Sequence, residues 1–207
     1  MKLKTANEPF QGKVLVMRVF IIILVLIFSV QSWTRADDIS DFEIEGISIG
    51  DNALDYFSES EIESNKRYYY KSKKYATFVK VIENSNFEGI QIEFRDDGKY
   101  IIESLIGKIY YNNKDFNECY NQEKIILYEL KKLFKKNAIY TDHGIEPHEY
   151  DETGKSKGSW HTFELTDGSG FVYLECMNWS EKIQFYDNLK LTILNSNFGE
   201  FLKTEAY

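Results

Sequence analysis

The chain has 207 residues, 43% of them hydrophobic and 16% aromatic, with only two prolines, the composition of one folded domain or two small ones. The net charge of −8 is unevenly spread: residues 1–36 hold five Lys/Arg and one Glu, which leaves 20 basic against 32 acidic residues, −12, in the remainder. A surface that acidic repels phosphate backbones and anionic lipid headgroups, which argues against nucleic-acid partners and peripheral membrane attachment.

The N-terminal segment reads as a signal peptide over residues 1–36. Arg18 precedes the apolar run Val19–Val30, and Thr34-Arg35-Ala36 places small residues at the first and third positions before a cut. A charged start, an apolar stretch of about a dozen residues and a small-residue site make up that pattern. Met17 is an alternative start, since Met17-Arg18 opens a compact signal by itself. The competing reading is an N-terminal membrane anchor, because Val14–Trp33 has about the 20 residues needed to span; Arg18 and Gln31 weaken it. Cleavage places the mature start at Asp37 and the protein in the periplasm or outside the cell.

The mature chain opens on Phe42–Phe57, read as a short strand, a glycine turn and a helix start capped by Ser48 or Asp51. Ile49, Ala53, Leu54 and Phe57 fall on one helical face. Ser58 and Glu61 form a capping-box pair for a helix to about Asn65. After the polar connector Lys66–Lys74, strands are predicted at Thr77–Glu83, around Ile90, Ile92 and Phe94, and at Tyr100–Tyr111. Asp96-Asp97-Gly98-Lys99 is the hairpin turn, and Gly107 marks a bulge. Asp115 and Glu118 start a long helix from about Phe116 to Lys135, with Cys119, Ile126, Leu130 and Leu133 on its apolar stripe.

Residues 137–158 form a predicted hairpin with its tip at Asp151–Ser156 and with Pro147 marking a sheet edge. Strands then follow at Ser159–Thr166, Phe171–Trp179 and Asn188–Asn195, and Ser196 caps a short final helix packed through Phe198, Phe201 and Leu202. The predicted class is α+β: antiparallel meanders, each preceded by a helix. The chain reads either as one domain, 37–207, or as two tandem half-units, 37–112 and 113–207.

Cys119 and Cys176 are the only cysteines. In an oxidising compartment they predict one disulfide, and both face the same helix–sheet interface. Two buried free thiols are the alternative.

Several chemistries are refused. Gly154-Lys155-Ser156 lacks the preceding glycine of a phosphate loop, since position 149 is Glu149. Asp142, His143, His148, Glu149 and Asp151 have metal-capable side chains, but the histidines are five apart and fit no zinc signature. Ser159 and His161 alternate on a strand without a nucleophile elbow. Carboxylates are too numerous to single out a pair. The aromatic excess raises sugar stacking, against the simpler reading that these rings are core and strand formers. Asn178-Trp179-Ser180 matches only a short glycosylation pattern. No catalytic, cofactor or metal residue is assigned.

The opening stretch, with MRVFIIILVLIFSVQSWTRADDISDFEIEGISIGDNALDYFSESEI, resembles a family of small exported proteins of marine alphaproteobacteria whose mature chains begin D-F-E-I-E-G-I-S-I-G-D-S-x-L-D-Y-F; Asn52 stands where the family carries Ser. The similarity extends through the Cys119 helix, the 151–156 turn and the Cys176 strand. The resemblance implies a periplasmic or secreted α+β domain and transfers no catalytic or binding residue. The leading reading is a non-enzymatic binding or envelope-associated module that engages another envelope protein. The alternatives are an exported hydrolase using carboxylates or the His143/His148 region, and a small-ligand carrier.

Overall fold

Glu45 and Gly46 both take positive φ, 54° and 77°, the two-residue turn geometry that matches the twist of a hairpin. They join β1 (Glu43–Ile44) to β2 (Ile47–Ser48), a small sheet that lies ahead of the main one. This computed structural model describes residues 38–82, 85–111, 117–149, 151–183 and 185–207. The predicted signal segment, the mature start at Asp37, and Asp115 and Phe116 of the predicted helix start lie outside them.

The helix predicted from the opening stretch is replaced by a single 3-10 turn, Ala53–Asp55. Its cap is neither Ser48 nor Asp51 but Asn52, whose side chain accepts from Leu54 N at 2.9 Å. The reason is tertiary. Gly50 N donates to Ile102 O and Ala53 N to Tyr100 O, so the backbone is tied to a strand where a helix would need its own bonds. Leu54 is consequently 40% exposed, while Ile49 and Ala53 are buried. Asp51 instead accepts from Ser48 N and from the Tyr56 hydroxyl, which is pushed up to about 12 by that bond and by burial.

Helix α1 (Glu59–Asn65) starts where predicted, with Ser58 accepting from Glu61 N. Strands β3 (Tyr75–Val81), β4 (Gly89–Arg95) and β5 (Ile102–Tyr110) form the first meander. Helix α2 (Asn117–Leu133) leads into β6 (Ala138–Pro147), β7 (Lys157–Leu165), β8 (Gly170–Asn178) and β9 (Asn188–Asn195), and α3 (Ser196–Thr204) closes the chain. The α3 cap is Asn195 rather than Ser196, accepting from Phe198 N at 2.9 Å.

The two meanders join edge to edge. β5 pairs antiparallel with β9, giving one seven-stranded sheet of order β3-β4-β5-β9-β8-β7-β6. The α+β class of antiparallel meanders and helices is therefore what the chain forms.

Each face of this sheet has its own cover. On the first, Phe78, Ile92, Leu105, Leu191, Leu174 and Phe163 meet α1, α2 and the opening segment; Phe42 stacks on Phe134 with centroids 4.8 Å apart. On the second, α3 lays Phe198 and Phe201 over Tyr75 and Leu194. On the same face at β4, Gln91 and Glu93 are also buried, with Lys108 Nζ donating to Gln91 and Tyr70 reaching Glu93. Glu93 accepts from Tyr70 Oη and Gln91 Nε2, each at 3.0 Å, and its burial raises the carboxyl pKa.

The bulge of β5 lies at Glu103, where the register jumps from Glu93↔Ser104 to Phe94↔Ile102, and not at Gly107. Gly107 is in regular register with Ile90, and it is glycine because the Phe87 ring rests on it: an added Cβ would stand 2.6 Å from Phe87 Cδ1.

The sheet edges differ. Along β3, Arg67 and Thr77 exchange two backbone bonds of 2.7 and 2.8 Å, so the preceding connector shields that edge. β6 is the opposite edge and is exposed over nearly its whole length.

Candidate functional site

Hairpin β6–β7 carries a cleft on each face. The first lies between α2 and the hairpin, a space of about 480 Å³ lined in part by Tyr120, Asn121, Glu123, Asp142, Ser159 and His161. The disulfide Cys119–Cys176 forms its floor support. Glu123 is one helical turn beyond Cys119, and Ser159 is the cross-strand partner of Cys176, so the bond holds the helix and the strand that carry this contact.

Glu123 is only 4% exposed. Ser159 Oγ donates to its Oε1, and His161 Nε2 stands 3.7 Å from the same oxygen. Burial dominates its electrostatics and lifts the carboxyl to about 7; Asp142 pushes the same way, while Ser159 and Lys124 oppose it. At neutral pH this group is poised between acid and carboxylate.

The far side of the imidazole is organised by the edge strand. Tyr140 Oη lies 3.0 Å from His161 Nδ1, and Asp142 Oδ1 lies 3.5 Å away. The ring thus presents Nδ1 to Tyr140 and Asp142 and Nε2 to Glu123. Asp142 also accepts from Gly144 N at 2.9 Å, the main cause of its lowered pKa. His161 is held below its ordinary value, chiefly by burial; Asp142 opposes this, and Lys131 and His143 add to it. The result is one imidazole between a buried carboxyl and a surface carboxylate.

A β-bulge follows Asp142 and shifts the alternation of the strand beyond it. Asp142 pairs with His161 and Gly144 with Trp160, so His143 is the inserted residue, and Gly144 takes φ 71°. Asp142 turns to the α2 side while His143 turns to the outer face, where its Nε2 lies 3.1 Å from Thr162 Oγ1.

The second cleft, about 400 Å³, is on that outer face and is lined by His143, Glu146, His148, Glu149, Trp160 and Tyr173 among others. It gathers the two histidines named from sequence onto one rim. His148 packs between Trp160 and Trp179, at centroid distances of 6.2 and 4.6 Å, and burial lowers its pKa. Asp151 belongs to neither cleft. It accepts from Thr153 and Ser156, backbone and hydroxyl alike, and these bonds hold its carboxyl far below the usual range. Gly154-Lys155-Ser156 is the wound tip of the hairpin.

Among the described residues, no group of three or more His, Cys, Asp and Glu side chains is placed to hold a metal ion. Nor is any described helix long and apolar enough to cross a membrane, which says nothing of membrane-spanning strands. Asn178 ends β8, where it pairs with Lys157.

The sequence points to the disulfide of Cys119 and Cys176; it offers Ser159 and His161 only as a pair refused for catalysis, and Glu123 and Tyr140 go unread. The signal for Glu123 was present: an acid four residues after Cys119 lies on the apolar stripe that Ile126 and Leu130 continue. Comparison of the chain with family models, curated proteins and solved structures finds no match in any of the three.

Proposed function

We propose that the protein is an exported binding module that receives a small polar ligand in the α2 cleft and exchanges a proton with it. In this reading residues 1–36 are a cleaved signal, and the mature chain works in the periplasm or outside the cell, among the small exported proteins its opening stretch resembles. The disulfide supports an oxidising destination. The observation that carries the binding reading is Glu123: a nearly buried carboxyl, held by Ser159 and backed by His161, facing a cleft large enough for a small molecule. Titratable groups with shifted pKa values cluster at functional sites, and this one lines a cleft. Protonated, Glu123 both donates and accepts; ionised, it only accepts. Ligand binding is therefore coupled to pH near neutrality.

The test is native mass spectrometry of the mature protein recovered from its own compartment, compared with Asn121→Trp, which fills the cleft from the exposed side of α2. A small bound mass present in the parent and absent in the variant supports the reading. Parent protein that always flies without ligand sinks it.

A second reading concerns a protein partner. β6 leaves a ten-residue edge unshielded on the hairpin, with Ile139 and Ile145 60% and 59% exposed, while the other edge is shielded by Arg67. An extended segment of another envelope protein can add to such an edge as a further strand. Photo-crosslinking in cells from position 145 reads this directly, and recovery of monomer alone counts against it.

A further inference from the structure

The outer face of the β6–β7 hairpin carries a second array that the α2 cleft does not use. Trp160 and Tyr173 stand on the same side of neighbouring strands, since Thr162 pairs with Tyr173 and Trp160 with Glu175. From Trp160 the rings continue through His148 and Trp179 to Phe185, in centroid steps of 6.2, 4.6 and 5.1 Å. Trp160, Trp179 and Tyr173 are half-buried, and Phe185, at the end of the run, is 63% exposed. Polar groups border the rings: His143 and Thr162, Glu146 and Glu149 in the cleft, and the Glu175–Lys190 ion pair on the strands beside Trp160.

Aromatic rings at a protein surface whose faces are bordered by hydrogen-bonding side chains match one ligand chemistry closely. A sugar ring presents a face of C–H groups, which packs on the electron-rich face of an aromatic ring, and a rim of hydroxyls, which both donate and accept. Steps of this size are ring-to-ring contacts, so the rings form one continuous aromatic surface. The cleft volume of about 400 Å³ lies within the range of small-ligand sites. Two carboxylates on the rim and an acidic chain disfavour anionic glycans, so the matching class is neutral. Successive ring planes meet at 40°, 51° and 88°, which makes the platform twisted rather than flat. A flat, ribbon-like glycan needs coplanar rings; a coiled chain turns its successive faces.

We propose that the Trp160–His148–Trp179–Phe185 strip is a binding site for a neutral, coiled oligosaccharide. The strip is independent of the α2 cleft, being on the opposite face of the hairpin, so either site can fail without the other.

The protein supplies its own reporter. Trp160 and Trp179 are the only tryptophans in residues 38–207, and both are in the strip. The experiment titrates the mature protein with β-1,3-gluco-oligosaccharides, malto-oligosaccharides and cello-oligosaccharides of increasing length and follows tryptophan emission. The expected result is a saturable change with at least one of the two coiled series, strengthening with chain length and weaker for the cello series. Phe185→Ala, which removes an exposed ring and leaves the melting temperature unchanged, weakens that binding at least about tenfold. Absence of a saturable change with all three series, cello-oligosaccharide binding as tight as the coiled series, or unaltered affinity in Phe185→Ala overturns the proposal.

Discussion

Replacing Glu123 by Gln should stabilise the protein by an amount that grows as pH rises from about 4.5 to 7 and is constant above that. The ordinary carboxyl value of 4.5 is raised to about 7 in the folded chain, with burial as the main cause. Between those two values the folded state keeps a proton that the unfolded state has released. Stability from this group is therefore fully present below about pH 4.5 and falls as pH rises through 7. At 1.36 kcal/mol per pKa unit, the whole window is worth about 2–3 kcal/mol after allowance for the water-filled cleft. Gln keeps the size and an acceptor for Ser159 Oγ without ever ionising. The Glu123→Gln gain should be near zero at pH 4 and about 2–3 kcal/mol at pH 8.

The assay is urea unfolding of both proteins, disulfide intact, at closely spaced pH values. His161 titrates with the opposite sign, because its lowered value makes stability fall on acidification below its ordinary 6.5. It stands 3.7 Å from Glu123, so the pair must also be compared in a His161→Gln background. Asp142 and Lys124, the other charges that act on Glu123, are common to both arms. A gain that is flat from pH 4 to 8 refutes the reasoning, as does a loss at pH 8.

Three further perturbations probe the frame around the site. Replacing Cys119 and Cys176 together by Ala removes a bond spanning 57 residues and should cost about 4 kcal/mol in the chain-entropy account, read from unfolding midpoints; a cost under about 1 kcal/mol would show that the bond does not restrain the unfolded chain. Gly107→Ala places a Cβ 2.6 Å from the Phe87 ring and should cost about 1–3 kcal/mol through overpacking, with partial recovery in a Phe87→Leu background. Asp151→Asn should speed amide exchange in the 148–156 tip at pH 7. Because the Asp151 carboxyl is held well below its ordinary value, its support is present above the ordinary carboxyl range and lost as pH falls, so the difference from the parent should shrink on acidification.

The strands and the longer helices were legible because their signals are local. The bounds of β9 (Asn188–Asn195) follow from the alternation of Leu189, Leu191 and Ile193 with Lys190 and Thr192, and Gly98, at φ 78°, holds the Asp-Gly turn expected of it. What was not legible depends on contacts distant in sequence. Ile49–Phe57 has a helical spacing, but Gly50 and Asp51 are bonded to Ile102 and Ala53 to Tyr100 across the fold, so local periodicity loses to backbone pairing. Gln91 and Glu93 alternate as an exposed face does, yet are buried, bonded to Lys108 of the next strand and Tyr70 of the preceding connector. The same holds at the candidate site. Ser159 and His161 could be read as a same-face pair, but what they face is set by the α2 docking that also buries Glu123.

The bulge at His143 explains why Asp142 and Ile145 line one cleft while His143 and Glu146 line the other. In a regular strand, residues 142 and 144 would share a face and 143 the other, with pairing continuous along β7. Here Asp142 pairs with His161 and Gly144 with Trp160, so a single inserted residue shifts the alternation along the edge. Asp142 completes the proton-holding array beneath α2, and His143 joins the aromatic face outside it. The carboxylates and imidazoles there are not core residues, since most of β6 is exposed, and hydrogen bonds within the hairpin already fix Asp142 and His143 in place. A strand that served only to close the sheet would need neither the insertion nor those polar side chains. The disulfide behind Ser159 ties α2 to β8, the strand next to this hairpin, so the helix and the hairpin keep their relative placement.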